Sequence, residues 1–204
     1  MVAKISIGSS LYGALAYNGE KVNREQGRLL ATNKIFDPGT GKVDAARAAE
    51  DFKSRMPAYV RTRNTVIHVS LNPHPDDRLT DVELENLARE YMEKLGYGDQ
   101  PYMIYKHEDI GRHHLHIVSI NVDESGRRLN KDYLFRRSHR ITRDLERRYG
   151  LHPADRRQYH NDAPLRKVDV SQGDVRRQVT NVVRSLSSSY RFQTFGEYLS
   201  LIHI

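Results

Sequence analysis

One run, His107-Glu-Asp-Ile-Gly-Arg-His-His-Leu-His116, restricts the possible folds of this chain more than any other stretch. Alternate side chains of a strand share a face, so His114 and His116 point one way and Leu115 the other. The residues that follow, Leu115-His-Ile-Val-Ser-Ile120, are β-branched and apolar enough for a central strand. Before the run, Tyr102-Met-Ile-Tyr-Lys-His107 reads as a second strand. A turn through Asp109, Ile110 and Gly111 pairs the two antiparallel and brings His107 alongside His114 and His116. Three neutral imidazoles can hold a divalent ion and leave coordination positions open, as in a catalytic metal site. Asp109 can coordinate the ion directly or, the preferred reading, accept an imidazole N–H, which fixes the tautomer and raises the basicity of the ligand.

The rest of the chain alternates helical and extended signals. Ile5 to Tyr17 has Leu11, Ala14 and Leu15 at helical spacing, with Ser9 or Ser10 as a cap. Gly27 to Pro38 reads as a loop with a short strand near Leu29 and Leu30, and Lys42 to Tyr59 as a helix that stops by Pro57. Thr65-Val-Ile-His-Val-Ser-Leu71 is a strand. Thr80-Asp-Val-Glu83 is a capping box, opening a helix with Leu84, Leu87, Ala88, Tyr91, Met92 and Leu95 on its apolar face and Gly96 at its end. Gly126 turns the chain into a short strand, and Ser138 starts a helix through Ile141, Leu145 and Tyr149. A polar, basic linker from Pro153 to Lys167 precedes an amphipathic helix built on Val175, Val179, Val182, Val183 and Leu186.

Charge narrows the choice of partner. Residues 127–191 hold 17 Lys and Arg against 7 Asp and Glu, whereas residues 1–126 hold 16 against 18. The excess is mostly arginine, whose guanidinium forks onto phosphate, so a nucleic acid is the natural partner of this half. Lys131, Arg136, Arg137, Arg140 and Arg143 are the candidate phosphate contacts. Arg112 faces the same anion, and His113, which points away from His114 in a regular strand, reads as a loop residue turned to DNA. The chain has no cysteine, which removes disulfides, thiolate metal sites and cysteine nucleophiles and suits a reducing cytoplasm. No segment reaches the roughly 20 apolar residues that a membrane span needs, and a soluble cytoplasmic protein is expected.

A metal site alone does not name a reaction. The N-terminal helix adds Tyr17, with Asn18 and Lys21 beside it and Tyr12 five residues earlier. A phenol can attack phosphorus and store the bond energy as a phosphotyrosyl ester, although an ordinary phenol, with a pKa near 10, needs help from a cation. The run His107-Glu-Asp109 through His114-Leu-His116-Ile-Val, with Asn121 beyond it, resembles motif III of the plasmid mobilisation relaxases, the histidine-hydrophobe-histidine endonucleases. Ala14-Leu-Ala-Tyr17-Asn-Gly-Glu-Lys21 is similar to their tyrosine motif, and the order of elements is theirs too. Arg112 stands where many relatives carry a further histidine.

The resemblance covers roughly residues 1–160. It implies an α+β fold with a five-stranded antiparallel sheet and flanking helices. His107, His114 and His116 would be ligands of Mg²⁺ or Mn²⁺, Tyr17 the nucleophile, Asp109 its support, and Asn121 a residue of the DNA site. Implied partners are single-stranded transfer-origin DNA, a coupling protein and a type IV secretion channel. Residues 1–160 are expected to form the nuclease domain, and 161–198 a basic linker and helix opening a further region. The last six residues, Leu199-Ser-Leu-Ile-His-Ile204, match one reading frame of a transposon-end adapter used in library preparation, so the natural chain is expected to continue past about Tyr198. On the residues alone, other readings are a rolling-circle replication initiator of the same chemistry and a DNA-binding module with an inert histidine cluster. A zinc hydrolase of small substrates is disfavoured by the arginine-rich half.

Overall fold

The computed structural model describes residues 1–108, 113–129, 132–154, 175 and 178–180. In chain order they form β1 (Val2–Gly8), α1 (Leu11–Asn23), β2 (Gly27–Asn33), α2 (Ala45–Ser54), β3 (Val66–Asn72), α3 (Asp81–Leu95), β4 (Tyr102–His107), β5 (His114–Ile120) and α4 (Leu134–Arg148). The strands make one five-stranded sheet in the order β1-β3-β5-β4-β2. Every neighbouring pair is antiparallel, so the expected α+β architecture is what the chain adopts.

Strand parity divides the core in two. Ile67, Val69 and Leu71 of β3, Ile104 of β4 and Leu115 and Ile117 of β5 face α3 and α4, packing with Leu87, Tyr91, Ile141 and Leu145. Val66, Met103, Tyr105, Val118 and Ile120 face the other way, against Leu11, Leu15 and Val22 of α1 and Phe52 of α2. Each fully buried aliphatic side chain contributes about 1.5–3 kcal/mol relative to exposure, and the central strands supply them to both faces.

Local chemistry fixes most helix ends. Ser10 accepts a hydrogen bond from the Gly13 N–H at 3.1 Å and so caps α1. Asp44 caps α2 through the N–H groups of Ala46 and Arg47, both at 3.0 Å. Thr80 and Glu83 form the expected reciprocal capping box of α3, and Gly96 ends it in the left-handed conformation at φ 87°.

Elsewhere the structure differs from the sequence reading. Residues 2–8 are a strand rather than the approach to a helix, because Val2–Gly8 is an edge strand whose partner, β3, lies more than fifty residues away in sequence. β2 is longer than the short strand expected at Leu29 and Leu30, and its register shifts between Leu29 and Ala31, which blurs any alternation. α4 starts at Leu134, not at Ser138; Ser138 is buried within it and shares a 2.6 Å hydrogen bond with the Tyr91 hydroxyl. After Gly126 the described residues form only an isolated bridge, between Val122 and Arg128.

The chain divides into two compact units, Met1–Ala154 and Asp155–Ile204. In the second, the described residues, 175 and 178–180, are helical. The expected linker beyond residue 154, the rest of that helix and the tail at 199–204 lie outside the described residues.

Candidate metal centre and nucleophile

The three histidines converge through register. In the β4–β5 pair His107 stands opposite His114, and Tyr105 stands opposite His116. Parity puts all three imidazoles on the α1 side of the sheet, at the end where β4 stops and β5 begins. Their ring centroids are 4.5 Å apart for His107 and His116, 5.1 Å for His114 and His116, and 5.4 Å for His107 and His114. One nitrogen from each lies within 4.8 Å of the others. His107 and His114 are buried and His116 is half-buried.

Two neighbours make this arrangement possible. Gly27 pairs with His107 across β2 and β4. A Cβ there would stand 2.3 Å from the Lys106 carbonyl oxygen and 3.1 Å from His107 Cδ2, so only glycine lets β2 lie this close. Lys106 is nearly buried and donates to Asp81 at 2.7 Å, while its ammonium lies 2.9 Å from Glu108. Burial works against its charge, but these carboxylates outweigh it and hold its pKa above the ordinary lysine value. Arg28 joins Asp81 at 2.8 Å, which ties β2, β4 and the start of α3 together beside His107.

The donor set suits a divalent cation. Burial, then the charges of His107, His68, His114 and Lys21, push the His116 pKa down to about 2, and burial lowers that of His68. Neutral imidazoles keep a lone pair for a metal, and three of them with no thiolate match a site with positions left for water or substrate.

Of the two tyrosines on α1, Tyr17 is the one beside the histidines. Tyr17 is 54% exposed and lies edge-on to His107, with ring centroids 6.5 Å apart. Lys21, one turn further on, holds its ammonium 4.8 Å from the Tyr17 ring centre. Tyr12 sits about 140° away around the helix axis. It faces a separate groove with Phe36, Lys42 and Val43 between α1 and α2.

The remaining sequence candidates are scattered. Asp109, Arg112 and Lys131 lie outside the described residues. His113 is exposed, with Nδ1 3.3 Å from Glu108. Asn121, expected at the DNA, is instead fully buried: its side chain accepts from the Tyr97 hydroxyl at 2.6 Å and its N–H donates to the Thr65 carbonyl at 2.7 Å. It anchors the end of β5.

Arg136 and Arg140 are exposed, the former 5.9 Å from the Tyr133 ring centre. Arg137 donates to the Leu95 carbonyl at 2.6 Å, and Arg143 to the Met1 carbonyl at 3.0 Å, so both also brace the fold. All four belong to α4, which covers the sheet face opposite the histidines.

Sequence reasoning missed His68, whose Nε2 lies 2.9 Å from His116 Nδ1. The only available signal was a polar residue on the inward parity of an apolar strand. It also missed Gly27 and Lys106, because their roles exist only once β2 and β4 are paired.

The family described as "Relaxase: MobA/VirD2-like, nuclease domain" matches residues 17–151, a span that begins at Tyr17 and contains the three histidines. A comparison with curated proteins finds no match.

Proposed function

The chain belongs to the MobA/VirD2-like relaxase nuclease family, a family of DNA-nicking endonucleases of conjugative mobilisation, and from that premise we propose that Tyr17 and the three-histidine centre form its nicking site. The observation that carries this reading is the position of Tyr17, exposed to solvent yet edge-on to His107. The Tyr17 Oη attacks the scissile phosphorus of single-stranded transfer-origin DNA. One P–O bond forms to Tyr17 as the P–O3′ bond breaks, the phenol proton passing to solvent and the leaving 3′ oxygen taking up a proton from it. The products are a 5′-phosphotyrosyl link and a free 3′-hydroxyl, and the reverse reaction rejoins the strand.

His107, His114 and His116 would hold Mg²⁺ or Mn²⁺, which would supply neutralisation of charge on the scissile phosphate and polarisation of its P–O bond. Asp109 is assigned to support an imidazole N–H. Lys21 puts a cation beside the nucleophile. Arg112 and His113 are assigned to phosphates near the hairpin, and Lys131, Arg136, Arg140 and, more weakly, Arg137 and Arg143 to phosphates further along the DNA. Handover to a coupling protein and a type IV secretion channel completes the reading, with nicking in the cytoplasm. Among the described residues no helix is long and apolar enough to cross a membrane.

The test is a labelled single-stranded transfer-origin oligonucleotide incubated with wild type, Tyr17→Phe and Tyr12→Phe, with and without Mn²⁺. A metal-dependent, denaturation-resistant adduct in wild type and Tyr12→Phe, lost in Tyr17→Phe, is expected. An adduct that survives Tyr17→Phe refutes the assignment.

A further inference from the structure

A fourth histidine stands beside the metal centre, outside its ligand group. In the β3–β5 pair Ser70 lies opposite His116, and His68 lies two residues back along β3 on the same face, which makes it the diagonal neighbour of His116. The contact is specific. His68 Nε2 is 2.9 Å from His116 Nδ1, with the ring centroids 5.0 Å apart. The three nitrogens that converge belong to His107, His114 and His116.

We propose that His68 is a positioning residue: it holds His116 by Nδ1 and so fixes Nε2 as the nitrogen presented to the divalent ion. The inference rests on the metal reading above. A neutral imidazole has one N–H and one bare nitrogen, and a nitrogen that binds a metal must be the bare one. Nδ1 of His116 faces His68, so the ligating nitrogen is Nε2 and the proton sits on Nδ1. That proton is donated to Nε2 of His68, whose own proton is then on Nδ1. The His116 ring cannot turn over without breaking this bond, and with Nε2 on an ion its one remaining tautomer is the one that donates to His68. An imidazole acceptor does this without bringing a negative charge to the site, so the ion keeps its full pull on a bound phosphate.

Two measurements on the whole chain test this. In the metal-free protein, nitrogen-15 NMR of the histidine rings is expected to show His116 protonated on Nδ1 in wild type and a mixture of tautomers in His68→Ala. In calorimetric titration with Mn²⁺, His68→Ala is expected to bind about 10–100-fold more weakly, with unchanged circular dichroism. His68→Gln, whose amide oxygen can accept the same hydrogen bond, should recover most of the loss.

Three results would overturn the proposal: His116 protonated on Nε2 in wild type, wild-type affinity in His68→Ala, or four imidazole couplings to bound Mn²⁺ in pulsed EPR, which would make His68 a ligand. Failure of the wild type to bind Mn²⁺ would instead sink the metal reading, and the tautomer measurement would still decide the His68–His116 bond.

Discussion

The two faces of the sheet use the same strands for different ends. Towards α3 and α4, Ile67, Val69, Leu71, Leu115 and Ile117 are completely buried and the apolar packing runs the length of the strands. Towards α1 and α2, Leu15, Phe52, Tyr105 and Val118 are completely buried as well, but His68, His107, His114 and His116 share that face, His116 opposite Tyr105 and His68 opposite Val118. β5 shows the division within three residues, because Leu115 is buried in one face while His114 and His116 leave the other. A well-filled face can therefore carry the stability that lets polar rings crowd together on its back. Alternation along the strand separates the two tasks without separate domains.

The sharpest way to break this comparison is to substitute neighbours of opposite parity. His114→Ala is expected to abolish Mn²⁺-dependent cleavage in single-turnover assays while leaving the urea midpoint of the metal-free protein close to wild type. Leu115→Ala should do the opposite at the level of the fold, costing about 2–5 kcal/mol in urea unfolding through lost transfer energy and a residual cavity. If Leu115→Ala leaves stability untouched, or His114→Ala unfolds the protein, the two faces do not divide the work.

A smaller effect is expected from Gly27→Ala. Its Cβ would collide with the Lys106 carbonyl and crowd His107, costing roughly 1–3 kcal/mol and weakening Mn²⁺ binding together. Calorimetry showing full affinity in this variant would remove Gly27 from the account.

Acid should act on the histidine end. His68 and His116 have folded pKa values below the ordinary 6.5, so below about pH 6.5 the unfolded chain binds protons that the folded chain refuses. Their contribution is present in full above that pH and is lost as pH falls, with a slope of up to about 1.4 kcal/mol per pH unit for each histidine. Urea midpoints of the metal-free protein measured from pH 8 to pH 5 should fall, and His116→Ala should flatten the slope. The smallest change is expected at Thr80→Ala, which removes a cap on the opposite face at about 1 kcal/mol, read as a lower melting temperature with cleavage unchanged.

What the sequence made legible follows from the range of the signal. The histidine hairpin could be read because both strands keep a period of two and sit within twenty residues, and α3 because its capping box and terminal glycine are local. The family resemblance on those same residues supplied the five-stranded sheet.

β1 was hidden because an edge strand exposes alternate residues, and its pairing with β3 spans most of the N-terminal half. Ser138 has the chemistry of a cap, which points to a start four residues inside the real α4. The helix in fact follows Tyr133, which adopts a left-handed conformation at φ 52° and gives no side-chain cap. His68 and Asn121 failed for one reason seen from two sides. Residue type announced a polar group in each case, but only tertiary register decides whether that group meets a histidine of the cluster, as His68 does, or a buried tyrosine, as Asn121 does.

The central claim is that one end of one face holds a divalent ion in front of Tyr17. The most direct measurement is a crystal of the whole chain grown with Mn²⁺, with data collected at the manganese absorption edge. The account predicts a strong anomalous peak among His107, His114 and His116 on the side of α1 that carries Tyr17. A peak at another site, or none at millimolar Mn²⁺, would contradict it.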